Sequence, residues 1–155
     1  MSNNTYKVLV VCMGNICRSP TAEAVLRAKA SEYGVNIEID SAGTIGFHQG
    51  ECPDHRAQVA GEARGYSFSG IRARKVELID FEYFDLILAA DRANLDDLRE
   101  ICPQPHQGKL ALFLDYSDCG VTEIPDPYYG GAYGFNHVLD LIEDATERLL
   151  KTIPR

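Results

Sequence analysis

Val8-Leu9-Val10-Val11-Cys12-Met13-Gly14-Asn15-Ile16-Cys17-Arg18-Ser19-Pro20 is the stretch from which the rest of the chain can be read. Its four consecutive aliphatic residues predict a strand covered on both faces, as in a parallel sheet. Gly14 and Asn15 are residue types that tolerate left-handed backbone angles, and Ser19-Pro20 suits the N-cap and first position of a helix. The segment therefore reads as strand, tight loop, helix. Such a loop turns successive N–H groups toward one point. The helix adds unpaired donors and the positive end of its dipole, and together these make an anion cradle.

Outward from this stretch, apolar segments of strand length alternate with amphipathic segments of helix length. Strands are expected at Tyr6–Val11, Ile37–Asp40, Leu86–Ala89 and Leu110–Phe113. Helices are expected at Pro20–Tyr33 before Gly34, Asp54–Arg64 before Gly65, Arg92–Arg99 and Phe135–Lys151, with a short turn at Val76–Asp80. This order implies an α/β fold: a three-layer doubly wound sandwich with a four-stranded parallel sheet and helices on both faces. In such folds ligands bind beyond the carboxyl ends of the strands, which points to the loop after Val11.

The 155 residues, 45% of them hydrophobic, suit one domain spanning 1–155. No run approaches the length of a membrane span and the N-terminus carries no export signal, so a cytoplasmic protein without membrane association is expected. Five cysteines, at 12, 17, 52, 102 and 119, are an odd number without CxxC pairs, so neither a disulfide framework nor a metal site is expected. A net charge of −8 argues against nucleic acid as a partner. A phosphate ligand would need a local positive pocket in a negative protein.

The loop's side chains then suggest a reaction. The N–H groups and dipole that hold an anion also favour the thiolate of Cys12, at the cradle's start. Arg18, at its end, offers a planar fork for two phosphate oxygens and for the charge of a transition state. A thiolate beneath a bound phosphate is placed for in-line attack and a phosphocysteine intermediate, and Ser19 can donate a hydrogen bond to its sulfur. Such chemistry needs neither cofactor nor metal.

Cys-x5-Arg-Ser after an N-terminal strand, with Asp40-Ser41-Ala42-Gly43-Thr44 and Asp126-Pro127-Tyr128-Tyr129 further on, resembles the low-molecular-weight protein tyrosine phosphatases over almost the whole chain. The resemblance implies a phosphatase acting on tyrosine-phosphorylated proteins and small aryl phosphates. Cys12 would be the nucleophile, Arg18 the phosphate grip and Asp126 the general acid, with Met13, Gly14, Asn15, Ile16, Cys17 and Ser19 forming the loop. Ser41 would bond Asn15 from beneath, while Phe47, His48, Tyr128 and Tyr129 would wall a pocket deep enough for a phenyl ring. Ile16 fits phosphotyrosine, since phosphoarginine-directed relatives tend to carry threonine there. A tyrosine kinase is an expected partner, and relatives are mostly monomers, with weak self-association open to exposed aromatics such as Tyr128. One departure stands out: relatives often carry His-x-Ala-Arg where this chain has Ile71-Arg72-Ala73-Arg74. One bond supporting the loop is then either missing or supplied elsewhere.

Blander readings compete at several positions. A cysteine ending a strand is more often core than nucleophile, and Cys12 escapes that only through its neighbours. Cys17 reads nearly as well as core packing as it does as a partner for an oxidised Cys12. Asp126 between Pro125 and Pro127 makes good turn chemistry, and the residues alone leave turn and acid about even; the resemblance favours the acid. An arsenate reductase on the same fold would pass a disulfide along two further cysteines, yet none lies between Cys52 and Cys102. A phosphate-binding module without turnover would have lost nucleophile or acid, and both are here.

Overall fold

The computed structural model describes residues 5–127 and 132–153. Four parallel strands run β1 (Tyr6–Cys12), β2 (Ile37–Gly43), β3 (Leu86–Ala89) and β4 (Leu110–Leu112), in the spatial order β2-β1-β3-β4. Among the described residues five α-helices connect or follow them: α1 (Arg18–Tyr33), α2 (His55–Glu62), α3 (Leu78–Tyr83), α4 (Arg92–Ile101) and α5 (Ala132–Thr152). Central β1 shows why the sheet is sandwiched. Val8 and Val10 enter one core with residues of α1 and α5, whereas Leu9 and Val11 enter the opposite core with Phe81, Leu95 and Leu98. All four valine and leucine side chains are fully buried, as the unbroken apolar run requires. This is the expected three-layer α/β sandwich.

Element boundaries differ from expectation where pairing or side chains extend or cut them. β2 continues past Asp40 because it stays in register with β1 to the pair Cys12–Gly43, which puts Ser41 inside the strand. β4 ends at Leu112, where a 3-10 turn over Phe113–Tyr116 starts and the Leu112 N–H is taken by the Asp115 carboxylate at 3.1 Å. The short helical turn expected around Val76–Asp80 is found as α3, set two residues later at Leu78–Tyr83 with Glu77 as its N-cap. Gly34 caps α1 with φ 68°, the left-handed stop expected of it.

One local reading is corrected. α1 starts at Arg18 with Cys17 as its N-cap, so Ser19 and Pro20 lie inside the first turn instead of serving as N-cap and first residue. The Ser19 hydroxyl is engaged with Cys12 and Asn15 and so is not available as a cap. Proline is tolerated in the first turn because its missing N–H would have had no helical partner there.

Candidate active site

The loop from Cys12 to Arg18 begins at the carboxyl end of the central strand. Its carbonyls are tied to the surrounding scaffold: Cys12 O accepts from Thr44 N (2.9 Å), Met13 O from Ile45 N (3.1 Å), Ile16 O from Asp54 N (2.7 Å) and Cys17 O from Thr21 N (3.2 Å). In a trans peptide the N–H points opposite to the C=O. Anchoring those carbonyls outward therefore turns the N–H groups of Met13, Gly14, Cys17 and Arg18 toward the concave side. Asn15 makes the sharp bend at φ 58°, in the left-handed region. Its own N–H reaches the Cys12 Sγ at 3.3 Å. Gly43 must be glycine-sized, since a Cβ there would sit 2.7 Å from the Met13 carbonyl oxygen.

Under the loop runs a buried polar network. Ser19 Oγ lies 3.0 Å from Cys12 Sγ, and the Asn15 amide donates to Ser19 Oγ (2.7 Å) and Ser41 Oγ (3.0 Å). The Arg74 N–H donates to Asn15 Oδ1 at 2.9 Å, while its guanidinium is clamped between Asp40 (3.2 Å) and Asp80 (2.9 Å). At the departure, Ile71 is buried in the apolar core, and Asn15 is held from behind by the main-chain N–H of Arg74.

Arg18 is almost wholly buried. Its Nη1 donates to Asp91 (2.7 Å) and to the Ile124 carbonyl (2.9 Å), and its Nη2 lies 3.8 Å from Asp126. Burial works against its charge, but Cys12, Asp91 and Asp126 outweigh that and hold the guanidinium firmly protonated. Burial, followed by the nearby charges of Asp54 and Cys12, pushes the Cys17 thiol up to about 12, so Cys17 is a neutral thiol at ordinary pH.

Cys12, Met13, Gly14, Ile16, Cys17, Arg18, Ile45, Phe47, His48 and Asp126 line one cavity of about 260 Å³. His48 lies across Gly14, where a Cβ would meet its ring at 3.1 Å. The ring is tied to Glu51 at 2.9 Å and set edge-on to Phe47, centroids 4.9 Å apart. The structure thus brings together most of the residues singled out from the sequence. Asn15, Ser19 and Ser41 lie in the network beneath the loop, and Tyr128 and Tyr129 lie outside the described residues.

Three participants escaped the sequence reading. Ile45 joins the cavity wall, where only Phe47 and His48 were foreseen. Asp91, at the carboxyl end of β3, caps α4 through the Asn94 N–H (2.8 Å) and holds Arg18 with its other oxygen. An aspartate just before a helix at the ligand end of a strand was the available signal. Glu23, an acid four residues before Arg27 on α1, is buried against Ser41. Among the described residues, no group of three or more His, Cys, Asp or Glu side chains could hold a metal.

A thiol at the foot of an amide-lined cradle, with a guanidinium beside it and a carboxyl at the opening, defines a phosphate-handling site of the phosphatase class. Residues 7–155 match the family described as low molecular weight phosphotyrosine protein phosphatase, and the chain belongs to that family. It is similar to a Synechocystis sp. chain assigned provisionally to the low molecular weight protein-tyrosine-phosphatases, with 46% identity over 154 residues covering 95% of this chain and 96% of that one. Its fold is similar to a crystal structure of protein tyrosine phosphatase from Entamoeba histolytica with Hepes in the active site (TM-score 0.92, 41% identity, 95% and 96% of the two chains). It also resembles Vibrio vulnificus Wzb in complex with benzylphosphonate (TM-score 0.86, 29% identity, 97% and 100%). The chain is a protein tyrosine phosphatase by family and by fold.

Proposed function

We propose that hydrolysis proceeds through a phosphocysteine on Cys12, with Arg18 gripping the phosphate and Asp126 serving as general acid and then base. The Cys12 sulfur attacks phosphorus, the S–P bond forms, and the P–O bond to the aryl group breaks as the Asp126 proton passes to the departing oxygen. Water then attacks phosphorus and gives a proton to the Asp126 carboxylate. The S–P bond breaks, leaving inorganic phosphate and a thiolate that accepts a hydrogen bond from Ser19. Through both steps Arg18 and the loop amides carry the charge on the equatorial oxygens.

One observation carries this reading: sulfur, guanidinium and carboxyl line the same cavity, with Phe47 and His48 at its side. A relative that takes benzylphosphonate, an aromatic ring joined to phosphorus through one methylene, supports an aryl phosphate as the natural occupant. Tyrosine-phosphorylated proteins are the substrate class. A tyrosine kinase as partner, a monomer with weak self-association, a single domain over 1–155 and a cytoplasmic setting complete the proposal. A relay of the arsenate-reductase kind is disfavoured, since Cys102 belongs to the core on the opposite side of the sheet from Cys12.

Rapid mixing with p-nitrophenyl phosphate, no metal added, tests the mechanism. A burst of p-nitrophenol equal to the enzyme concentration is expected, together with a Cys12→Ser variant at least ~10⁴-fold slower. Turnover without a covalent phosphoenzyme on acid quench would overturn it. Cys17, buried near Cys12 and uncharged, also suits a protective role: peroxide converts the Cys12 thiolate to sulfenic acid, and Cys17 condenses with it, releasing water and forming a disulfide. Thiol-reversible inactivation in the wild type, lost in Cys17→Ser, is the expected signature.

A further inference from the structure

Glu23, in the second turn of α1, has no part in the steps set out above, yet it is only 2% exposed. Its Oε1 accepts the Ser41 hydroxyl at 2.6 Å, and its Oε2 is paired with Arg27, whose Nη2 also donates to the Ile39 carbonyl at 3.1 Å. Asp40 on β2 and Arg74 are the other charged groups that face it. Burying a carboxylate is costly, so what it does there needs a physical account.

Counting donors and acceptors supplies one. A carboxylate only accepts, so the single Ser41 proton goes to Glu23, and the Ser41 oxygen is left to accept from Asn15 Nδ2. The Arg74 N–H occupies Asn15 Oδ1 and fixes which end of that amide is nitrogen; its second N–H goes to Ser19 Oγ. Ser19 is thereby an acceptor toward Asn15, and its own proton must point elsewhere. Two acceptors are in reach, Cys12 Sγ at 3.0 Å and the Ala42 carbonyl at 3.5 Å, and the sulfur is the nearer. Every link from acid to thiol then has one direction.

We infer that Glu23 is a positioning residue that, together with the Arg74 N–H on Asn15, holds the direction of the chain Glu23–Ser41–Asn15–Ser19, so that Ser19 donates to the Cys12 sulfur as a thiolate and as it leaves phosphocysteine. This rests on Cys12 being the nucleophile. Arg27 has a part in it, because it claims one carboxylate oxygen and leaves the other to Ser41.

In Glu23→Gln, Arg27 claims the amide oxygen and turns the amide nitrogen toward Ser41. The Ser41 proton then loses its acceptor, and the direction of the chain rests on the Arg74 N–H alone. The expected result is a kcat about tenfold lower with KM within about twofold, and an iodoacetate-alkylation profile of Cys12 moved up by about one pH unit. In Glu23→Gln/Arg27→Met the amide is free to turn its oxygen to Ser41, and kcat should return to within about threefold of wild type. Glu23→Leu/Arg27→Leu removes the acceptor altogether, and should show the tenfold loss and the pH shift even where the single glutamine variant does not fold. A merely structural acid would give no rescue by the methionine and no shift of the alkylation profile. Wild-type kinetics in Glu23→Leu/Arg27→Leu, or a glutamine/methionine pair as slow as the leucine pair, would overturn the inference. Cys12→Ser separates the two readings. If it still turns over, the nucleophile assignment falls; if it is inactive while the Glu23 variants behave as wild type, only the role of Glu23 falls.

Discussion

The floor of the cradle and its rim are built on opposite terms. On the floor Asn15, Ser19, Glu23 and Ser41 are at most 2% exposed, and each side chain is fixed by hydrogen bonds from β2, α1 or the Arg74 backbone. On the rim Phe47 is 79% exposed, Met13 49% and Ile45 43%. The floor has nothing to choose among, because every substrate brings the same phosphate. The rim meets what differs between substrates, and its residues reach solvent with few fixed bonds. The difference teaches that damage below should appear in kcat, whereas damage above should appear in KM.

Arg18→Lys tests the floor hardest. A lysine keeps the charge but loses the fork that engages Asp91 and the Ile124 carbonyl while facing phosphate, so kcat/KM should fall about 10²–10³-fold. A fall under tenfold would mean that charge alone suffices. Asp126, 3.8 Å from Arg18 and at the opening, stands between the two regions. Asp126→Ala should slow phenyl phosphate about 10²-fold but an aryl phosphate with a highly acidic leaving group much less, because only the poor leaving group needs the proton. Equal losses on both would break the general-acid reading. Phe47→Ala should raise KM for a phosphotyrosyl peptide about tenfold, the worth of one aromatic contact, and leave kcat within twofold. A kcat effect larger than the KM effect would erase the distinction between rim and floor.

The smallest effect is on stability. Because the folded Cys17 thiol sits at about 12, above the usual thiol value near 8.5, the folded state keeps a proton that the unfolded chain gives up. The contribution is intact below about pH 8.5 and is lost as pH climbs toward 12, by about 1 kcal/mol over the first unit. Thermal melts between pH 8 and 10 should therefore fall more steeply in wild type than in Cys17→Ala. Parallel slopes would place Cys17 in a wetter setting than the floor.

How much was legible in the sequence follows the same division by distance along the chain. β1, the loop and α1 are contiguous, and aliphatic run, glycine, asparagine and arginine declare them in order. The carboxyl-end rule for α/β sheets then located the site. What stayed hidden is assembled from afar: Asp91 and the Ile124 carbonyl meet Arg18 only after the sheet closes, and a carbonyl has no sequence signal at all. Glu23 was masked by helix periodicity, since an acid four residues before Arg27 reads as a surface pair until β2 is laid beside it. Ser19 reads as a cap because serine beside proline at a helix start usually is one. The nearby sulfur and amide made a competing claim that local propensity does not record.

The position of β1 between β2 and β3 has a consequence for biosynthesis and refolding. Val8 pairs with both Ile39 and Leu86, so the strand carrying the reactive sulfur is completed only by segments made much later. Parallel pairings between distant segments close slowly. A nascent or renaturing chain therefore holds its thiol in an ordinary state until the last crossover is in place, and regain of catalytic power should trail regain of helical content.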